Sequence, residues 1–284
     1  MPCGSWHKGK NMREKKWNLG RFIGRSSALL LLFALLFLPS ACAEEGGNLP
    51  KIIIGSDEYQ PYSYYNVDGS PLGVDVELAR EAFRRMGYEP VFRHMAWEDK
   101  DEALANGEVD CLWSGFMMNG REDKYTWARL NMFSRLMAVV RADSDYADLA
   151  DLTGCRAAVQ ATSSAEYLLL QQETPNVPKV DSLYSFSTME EVFAVMRKGY
   201  ADMIVGHECT LNIFLAENEG RYRMLENTLG TAELGVAFQK GTHEELARQL
   251  EQTMAEMAAD GTVAEILTAY GVNGIVRMGG IESK

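Results

Sequence analysis

The chain has 284 residues, of which 46% are hydrophobic and 10% aromatic, and its formal net charge is −12 at pH 7. This composition provides enough apolar side chains for a sizeable core, which excludes a disordered chain, a collagen and a coiled coil. The acidic excess argues against a nucleic-acid partner.

The first 42 residues differ from the rest of the chain. Residues 1–25 contain seven of the 28 Lys and Arg residues but a single acid, and residues 28–38 are an unbroken apolar run. Eleven apolar residues are too few for a stable membrane span, but they suit a secretory signal. We therefore predict a signal peptide over residues 1–42 and a polar tether over residues 43–50.

Two readings of the end of this segment stay open. The sequence Ser40-Ala41-Cys42 resembles a bacterial lipobox, in which Cys42 becomes the lipid-bearing first residue, although Pro39 stands where Leu is usual. Cleavage after Ala43 and simple secretion fit the same residues. The favoured reading is an extracytoplasmic protein, at the cell surface or in the periplasm, that is held to the membrane only by a lipid on Cys42.

Beyond residue 50, strand-like and helix-like segments alternate as in an α/β protein. The first block consists of a strand at 51–56, an amphipathic helix at 72–87, a strand at 90–94, a short helix at 102–105 and strands at 109–114 and 135–141. The second block has strands at 155–161, 179–184 and 201–206, and a return strand at 232–239.

Four segments match the S/T-x-x-E capping box, which marks the start of a helix. They begin at Ser163, Thr188, Thr242 and Thr262. The third predicts a long helix to Ala259.

Two similar α/β blocks with two extended crossovers predict two lobes that face each other across a ligand cleft. The expected boundaries are 51–138 plus 234–284 for lobe 1 and 139–233 for lobe 2.

The segment from 109 to 123 is the candidate centre of the site. A short apolar strand runs into the small polar pair Ser114-Gly115, and Arg121 follows six residues later. A guanidinium can hold a carboxylate in two places, and open α/β sheets bind ligands at the carboxyl ends of their strands. The alternative for Arg121 is a solvated surface charge beside Glu122.

Nearly all of the chain beyond residue 50 resembles the family 3 extracellular solute-binding proteins, the receptors for polar amino acids in bacterial ABC importers. The matching pieces are residues 54–57 with Tyr59 and Pro61-Tyr62, then 72–79, 110–115, Val159-Gln160, 199–202 and 260–262. The resemblance implies a two-lobed periplasmic-binding-protein-like fold (type II). It also implies an amino acid-like ligand and an ABC permease as partners.

A zwitterionic ligand needs a cation, an acceptor for its ammonium and a wall for its side chain. We expect Arg121 and the helix start at Ser163 to take the carboxylate, and Asp57 to meet the ammonium. By resemblance, Tyr59 and Trp97 flank the ligand. The full set of expected ligand-binding residues is Asp57, Tyr59, Trp97, Ser114, Gly115, Phe116, Met117, Arg121, Thr162, Ser163, Ser164, His207 and Glu208.

Three departures from the family pattern bear on these roles. A straight count puts Glu122 where the arginine belongs, and a one-residue deletion restores Arg121. His207-Glu208 stands where a strand ordinarily delivers an aspartate. Three explanations stay open: a neutral imidazole accepts from the ammonium, the Glu208 carboxylate supplies the charge, or the ligand is not an ordinary α-amino acid. The run at 161–164 lacks the usual glycine, although Thr162 and Ser163 still offer donors.

The rival classes are an enzyme like the cyclohexadienyl dehydratases, with Glu208 or Glu122 as the acid, and a ligand-sensing partner of a membrane receptor. No catalytic or metal-binding arrangement of His residues is evident, so we predict a binding protein without cofactor or metal. We also predict a monomer, with Cys111, Cys155 and Cys209 as buried thiols.

Overall fold

The computed structural model describes residues 49–171 and 177–279. The predicted signal peptide, Cys42 and all but the last two residues of the predicted tether lie outside this part of the chain. Within it, no helix has both the length and the apolar character needed to cross a membrane.

The described residues form strands that we number in chain order. They are β1 Lys51–Ser56, β2 Tyr64–Tyr65, β3 Pro71–Leu72, β4 Glu89–His94, β5 Cys111–Leu112, β6 Thr126–Arg141, β7 Arg156–Gln160, β8 Ser182–Phe186, β9 Met203–His207, β10 Tyr222–Met224, β11 Gly230–Phe238 and β12 Arg277–Met278.

The α-helices alternate with these strands. They are α1 Val74–Arg85, α2 Lys100–Ala105, α3 Ser164–Gln171, α4 Met189–Arg197, α5 Glu208–Glu217, α6 Glu244–Ala259 and α7 Thr262–Ala269, with short 3-10 turns at Trp97–Asp99 and Leu149–Leu152.

One large sheet runs in the order β4-β1-β5-β11-β6-β9-β7-β8. Strands β1, β4 and β5 are parallel and form the first strand group, while β7, β8 and β9 are parallel and form the second. Strands β6 and β11 lie between the groups and pair antiparallel with each other. The carboxyl ends of both groups therefore point toward the middle of the molecule, where a ligand site is expected.

Strand β6 is much longer than the predicted strand at 135–141. Its first half pairs with β11 and its last residues, from Leu136, pair with β9. The missed part alternates buried Ala128, Leu130 and Met132 with more exposed residues. That period-2 pattern is typical of a half-buried strand, but the polar residues between these positions obscured it.

The predicted helix at 72–87 is confirmed with shorter ends. Val74, Leu78 and Ala82 are fully buried, and Gly87 follows the helix at φ +79°. A left-handed residue just past the last turn is a common way to end a helix.

The capping-box predictions had mixed outcomes. Thr188 and Glu191 form the reciprocal box at the start of α4. The box at Thr242 is wrong, since His243 precedes α6 at φ +55° and Thr242 instead donates to the carbonyl of Gln239. The box at Thr262 is also wrong, because Thr262 is itself the first helical residue and its N–H is held by Asp260.

The predicted strand at 109–114 shortens to β5, and the chain then bends at Ser114 and Gly115. The three predicted thiols, Cys111, Cys155 and Cys209, are buried and free. Burial raises the pKa of all three thiols, so they remain protonated at neutral pH.

Candidate functional site

A small cavity lies where the carboxyl ends of the two strand groups meet. Asp57 directly follows β1 and Ser114 follows β5, while Gln160 and His207 are the last residues of β7 and β9. Its volume is about 20 Å³, which is room for about one water molecule. An amino acid therefore enters only if the surrounding walls move apart.

Ten of the predicted ligand-binding residues line this cavity. They are Asp57, Tyr59, Trp97, Ser114, Gly115, Phe116, Met117, Ser163, Ser164 and His207. Leu136, Gln160 and Ala165 line it as well and were not among the predicted binding residues. Arg121, Thr162 and Glu208 are not part of the lining.

Asp57 connects the two strand groups. Its carboxylate accepts hydrogen bonds from Ser114 Oγ at 2.7 Å and from Gln160 Nε2 at 2.6 Å. Burial raises the pKa of Asp57, and these two hydrogen bonds oppose that shift. A ligand ammonium beside this carboxylate would stabilise its charged form in the same way.

A second buried carboxylate, Asp75 on α1, shapes the loop after β5. Its Oδ2 accepts from the backbone N–H of Gly115 at 2.6 Å, and burial raises the pKa of Asp75 to about 7. Gly115 has φ +57°, and a Cβ there would lie 2.9 Å from the ring of Tyr62. Only glycine fits this turn without displacing Tyr62.

Arg121 is half-buried and reaches from the first strand group to the second. Its Nη1 donates to Ser164 Oγ at 2.6 Å, and its Nη2 donates to the carbonyl of Thr162 at 3.0 Å. Its guanidinium carbon also lies 5.4 Å from the ring centroid of Phe116, a cavity residue. The neighbouring Glu122 is exposed. Of the two residues considered for the arginine position, Arg121 is the one beside the cavity.

No carboxylate among the described residues forms an ion pair with Arg121. Its partners are two carbonyl oxygens and one hydroxyl. Burial lowers the pKa of Arg121 from its ordinary value, although a guanidinium stays protonated at neutral pH. The positive charge of Arg121 is thus stabilised by the dipoles of these neutral groups, and no carboxylate of the described residues pairs with it.

Lys100, on α2, is a second cation close to the cavity. Unlike Arg121, it is fully buried and was not predicted from the sequence. Its side chain is 2% exposed, and its Nζ donates to Thr162 Oγ1 at 2.7 Å and to the carbonyl of Trp97 at 3.2 Å. Burial lowers the pKa of Lys100 to about 8. The sequence offered no signal, because Lys100 lies in the acidic run 98–102 and looks like a solvated charge.

Thr162 and Ser163 organise the start of α3. Ser163 Oγ accepts from the N–H of Glu166 at 3.2 Å, as a capping box predicts. The Glu166 carboxylate, however, accepts from the N–H of Thr162 at 2.6 Å rather than from Ser163. Thr162 has φ +55°, so the chain turns sharply just before the helix and directs both of its oxygens toward Arg121 and Lys100.

Aromatic rings form one wall of the cavity. Trp97 and Phe116 pack edge to face with centroids 4.9 Å apart, and both are buried. Tyr59 packs edge to face against His207 at 5.3 Å. The hydroxyl of Tyr59 accepts from the backbone N–H of His207 at 3.3 Å, so the ring is anchored at its polar end.

His207 is buried, and burial lowers its pKa to about 3, so the imidazole is neutral at pH 7. Its Nδ1 lies 2.9 Å from Ser134 Oγ and 3.1 Å from the Tyr62 hydroxyl. Nε2 has no hydrogen-bond partner within the described ranges. Ser134 lies on β6, so this network joins the end of β9 to the strand between the groups.

Glu208 does not fit the role expected of it. Its carboxylate forms a two-point ion pair with Arg135, in which Nε donates at 2.7 Å and Nη2 donates to the other oxygen. A carboxylate already paired in this way has little to offer a ligand ammonium. Asp57 is therefore the cavity's anionic residue.

The described residues contain no cluster of three or more His, Cys, Asp or Glu side chains that could hold a metal ion. The arrangement is instead that of a binding site for a small ionised molecule. It offers one carboxylate, two cations close by, a neutral imidazole and a helix start.

Comparison with known proteins supports this description. Residues 52–273 match the model of the family described as "Bacterial extracellular solute-binding proteins, family 3". The L-cystine-binding protein TcyA of Bacillus subtilis (strain 168) is 26% identical over 211 residues, which cover 73% of this chain and 76% of that protein.

Two solved structures show the same fold. One is a protein bound to L-arginine, with a TM-score of 0.72, 24% identity, and coverage of 80% of this chain and 92% of that one. The other is an ancestral amino acid-binding protein, a precursor of cyclohexadienyl dehydratase, with a TM-score of 0.69, 21% identity, and coverage of 78% and 95%. The predicted fold, two-lobed and periplasmic-binding-protein-like (type II), is confirmed. With the family match over most of its length, this chain belongs to the family 3 bacterial extracellular solute-binding proteins.

Proposed function

We propose that this protein captures an amino acid outside the cytoplasm and delivers it to the membrane permease of an ABC importer. The observation that carries the proposal is the meeting of Asp57, Ser114, Gln160 and His207 at one cavity beside a guanidinium that has no ion-pair partner among residues 49–171 and 177–279. A zwitterion supplies the two charges that such a site lacks.

Each end of the ligand then has a partner. Arg121 exchanges its bonds to Ser164 and Thr162 for bidentate bonds to the ligand carboxylate, which the helix start of α3 also favours. The ammonium meets Asp57, whose carboxylate keeps free lone pairs beyond its bonds to Ser114 and Gln160. Tyr59 and Trp97 flank the apolar part.

Capture proceeds by closure of two lobes, 51–138 plus 234–284 and 139–233. The hydrogen bonds from Gln160 to Asp57 and from Lys100 to Thr162 join the two strand groups across the cavity, and they are the bonds that closure would make. The small volume of the cavity fits a closed arrangement. Hinge closure around a ligand is a common motion of two-lobed proteins.

The lipobox-like sequence at residues 40–42 supports the membrane arrangement of this proposal. The protein acts as a monomer held by a lipid on Cys42, and the permease is its macromolecular partner. Mass spectrometry of the mature protein would separate lipidation of Cys42 from simple secretion.

The chain binds its ligand without converting it. The two acids considered for a dehydratase do not reach the cavity, since Glu208 is paired with Arg135 and Glu122 is exposed. Incubation with prephenate should therefore leave the compound unchanged, and conversion at enzymatic rates would favour the enzyme instead.

Calorimetry of the purified protein with the natural amino acids tests the proposal. At least one should bind, and Arg121→Ala should weaken that binding by about 3 kcal/mol, because charge-assisted bonds in a desolvated site are lost. Glu122→Ala is the matched control, since this neighbour is exposed, and should bind as the parent does. Unchanged affinity in Arg121→Ala would refute the assignment.

A further inference from the structure

Lys100 is a buried cation that the proposed zwitterion does not use. Its ammonium donates to a carbonyl and to a hydroxyl, and within the described ranges no carboxylate lies in ion-pair distance. Transferring an ammonium into a protein interior is costly unless a counter-charge compensates it. A lysine in this environment therefore indicates an anion that arrives from outside.

The nearby carboxylates have other partners. Asp101 forms an ion pair with Lys124 at 2.7 Å and accepts from the Tyr125 hydroxyl. Glu166 accepts from the N–H of Thr162 and from Ser185 Oγ, at the positive end of α3. Neither residue lines the cavity.

The charges at the cavity do not balance for a neutral ligand. Arg121 and Lys100 both donate to Thr162 just outside the lining, and neither lies within ion-pair distance of a carboxylate among the described residues, whereas Asp57 is the one carboxylate in the described lining. A zwitterion adds no net charge, so one positive charge would remain buried beside it. A ligand with a second carboxylate removes that excess.

We propose that Lys100 is a specificity-determining residue and that the site takes an acidic amino acid, with an ammonium and two carboxylates, in preference to neutral or cationic ones. This inference rests on the proposed function and adds its ligand class. The first carboxylate goes to Arg121, the ammonium goes to Asp57, and the second carboxylate goes to Lys100 in place of the Thr162 hydroxyl.

The aromatic wall supports the same preference. The Nζ of Lys100 lies 5.2 Å from the ring centroid of Trp97, where a cationic ligand side chain would otherwise gain attraction from the ring. A ligand bearing a second positive charge would meet this ammonium and be repelled.

The test compares ligands of the same shape and different charge. Calorimetry at neutral pH would measure L-glutamate against L-glutamine and L-aspartate against L-asparagine, with L-arginine as the cationic probe. At least one acid should bind more than about tenfold more tightly than its amide, and L-arginine should bind more weakly than that acid.

The Lys100→Met variant then tests whether Lys100 causes the preference for the acid over its amide. This variant should lose about tenfold or more of the preference for the acid while the amide binds nearly as before. The matched control is Lys51→Met, which removes an exposed lysine at the opposite end of β1 from Asp57 and should keep the preference.

The outcomes separate the two proposals. If an amide or L-arginine binds as tightly as the acids, or if the preference survives Lys100→Met, the inference is wrong while amino acid binding stands. If none of the natural amino acids binds, both the proposed function and the inference about Lys100 are wrong. The comparison of acid with amide uses the parent protein, so it holds even if Lys100→Met does not fold.

Discussion

Thr162 receives hydrogen bonds from two cations, since its hydroxyl accepts from Lys100 and its carbonyl from Arg121. Thr162 has φ +55°, and in this conformation both of its oxygens contact the cations. These two neutral acceptors are weaker partners than carboxylates would be. The cations are therefore held near the cavity by bonds that a ligand can replace.

The pKa of Lys100 gives a prediction for the unliganded protein. Its folded-state pKa is about 8 against an ordinary value of 10.5, so the unfolded chain holds the proton more tightly. The charged lysine thus destabilises the fold below pH 8, and this penalty shrinks as the pH rises toward 10.5. We expect the excess stability of Lys100→Met over the parent to narrow by about 2 kcal/mol between pH 7 and pH 10.

Urea denaturation at several pH values measures this difference. Buried thiols and tyrosines also titrate in the alkaline range, but they are common to both proteins and cancel in the comparison. Lys51→Met should show no such narrowing, because Lys51 is exposed. If the stability difference between Lys100→Met and the parent stays constant with pH, the folded protein does not lower the pKa of Lys100.

Individual site residues were predictable from the sequence where they lie next to a recognisable strand end. Residues at or just after the ends of β1, β5 and β9 were expected at the site because strand ends can be recognised in a sequence, and Asp57, Ser114 and His207 do line the cavity. Lys100 and Gln160 were not expected. The burial of Lys100 depends on how α2 packs against the loop at Thr162, a contact between residues 62 positions apart.

The loop before Arg121 packs against helix α3. Gly120 has φ +75°, and a Cβ there would lie 2.7 Å from the ring of Tyr167 on α3. Gly107 has a similar φ of +68° with nothing within 4 Å of the same position. A substitution would strain the backbone at both glycines, but only at Gly120 would the new side chain also collide with Tyr167.

Alanine at these two positions should have different effects on binding. Both Gly120→Ala and Gly107→Ala should lose about 1 kcal/mol of stability, because alanine disfavours a positive φ. Gly120→Ala alone should also weaken ligand binding, since the loop cannot approach Tyr167 when the cleft closes. Chemical denaturation and calorimetry on both variants measure the two effects, and equal affinities would show that this contact plays no part in closure.

Helices and strands were predictable from the sequence where residues close together in the chain determine them. The amphipathic stripe of α1 and the capping box of α4 were both identified from sequence. Strand β6 was predicted too short, because exposed polar residues alternate with buried ones in its first half. Its extent depends on pairing with a strand about a hundred residues away.

At the scale of the whole molecule, β6 and β11 are the two crossovers that the predicted topology requires. Together they join the two strand groups, since β11 pairs with β5, β6 pairs with β9, and β6 and β11 pair with each other. The ladder between them shifts register at Leu234 and Gly235, near Asn131 at φ +53°. Such an irregularity is where a strand bends most easily.

Closure makes a prediction about molecular size. A cavity of about 20 Å³ cannot admit an amino acid, so the ligand-free protein must spend time in a more open form. Small-angle X-ray scattering should show a smaller radius of gyration after addition of a ligand identified by calorimetry. Arg121→Ala at the same ligand concentration should show less compaction, and equal radii with and without ligand in the parent would contradict closure.

The hydrogen-bond network of His207 connects the cavity to Ser134 on β6. A neutral imidazole carries one proton, so the two ring nitrogens always play opposite roles. A ligand group that donates to Nε2 selects the tautomer with its proton on Nδ1, and one that accepts selects the other. Ser134 and Tyr62 must then rotate their hydroxyls to match. The polarity of a ligand atom is thus relayed, as a reorientation of hydroxyl protons, to the middle of β6.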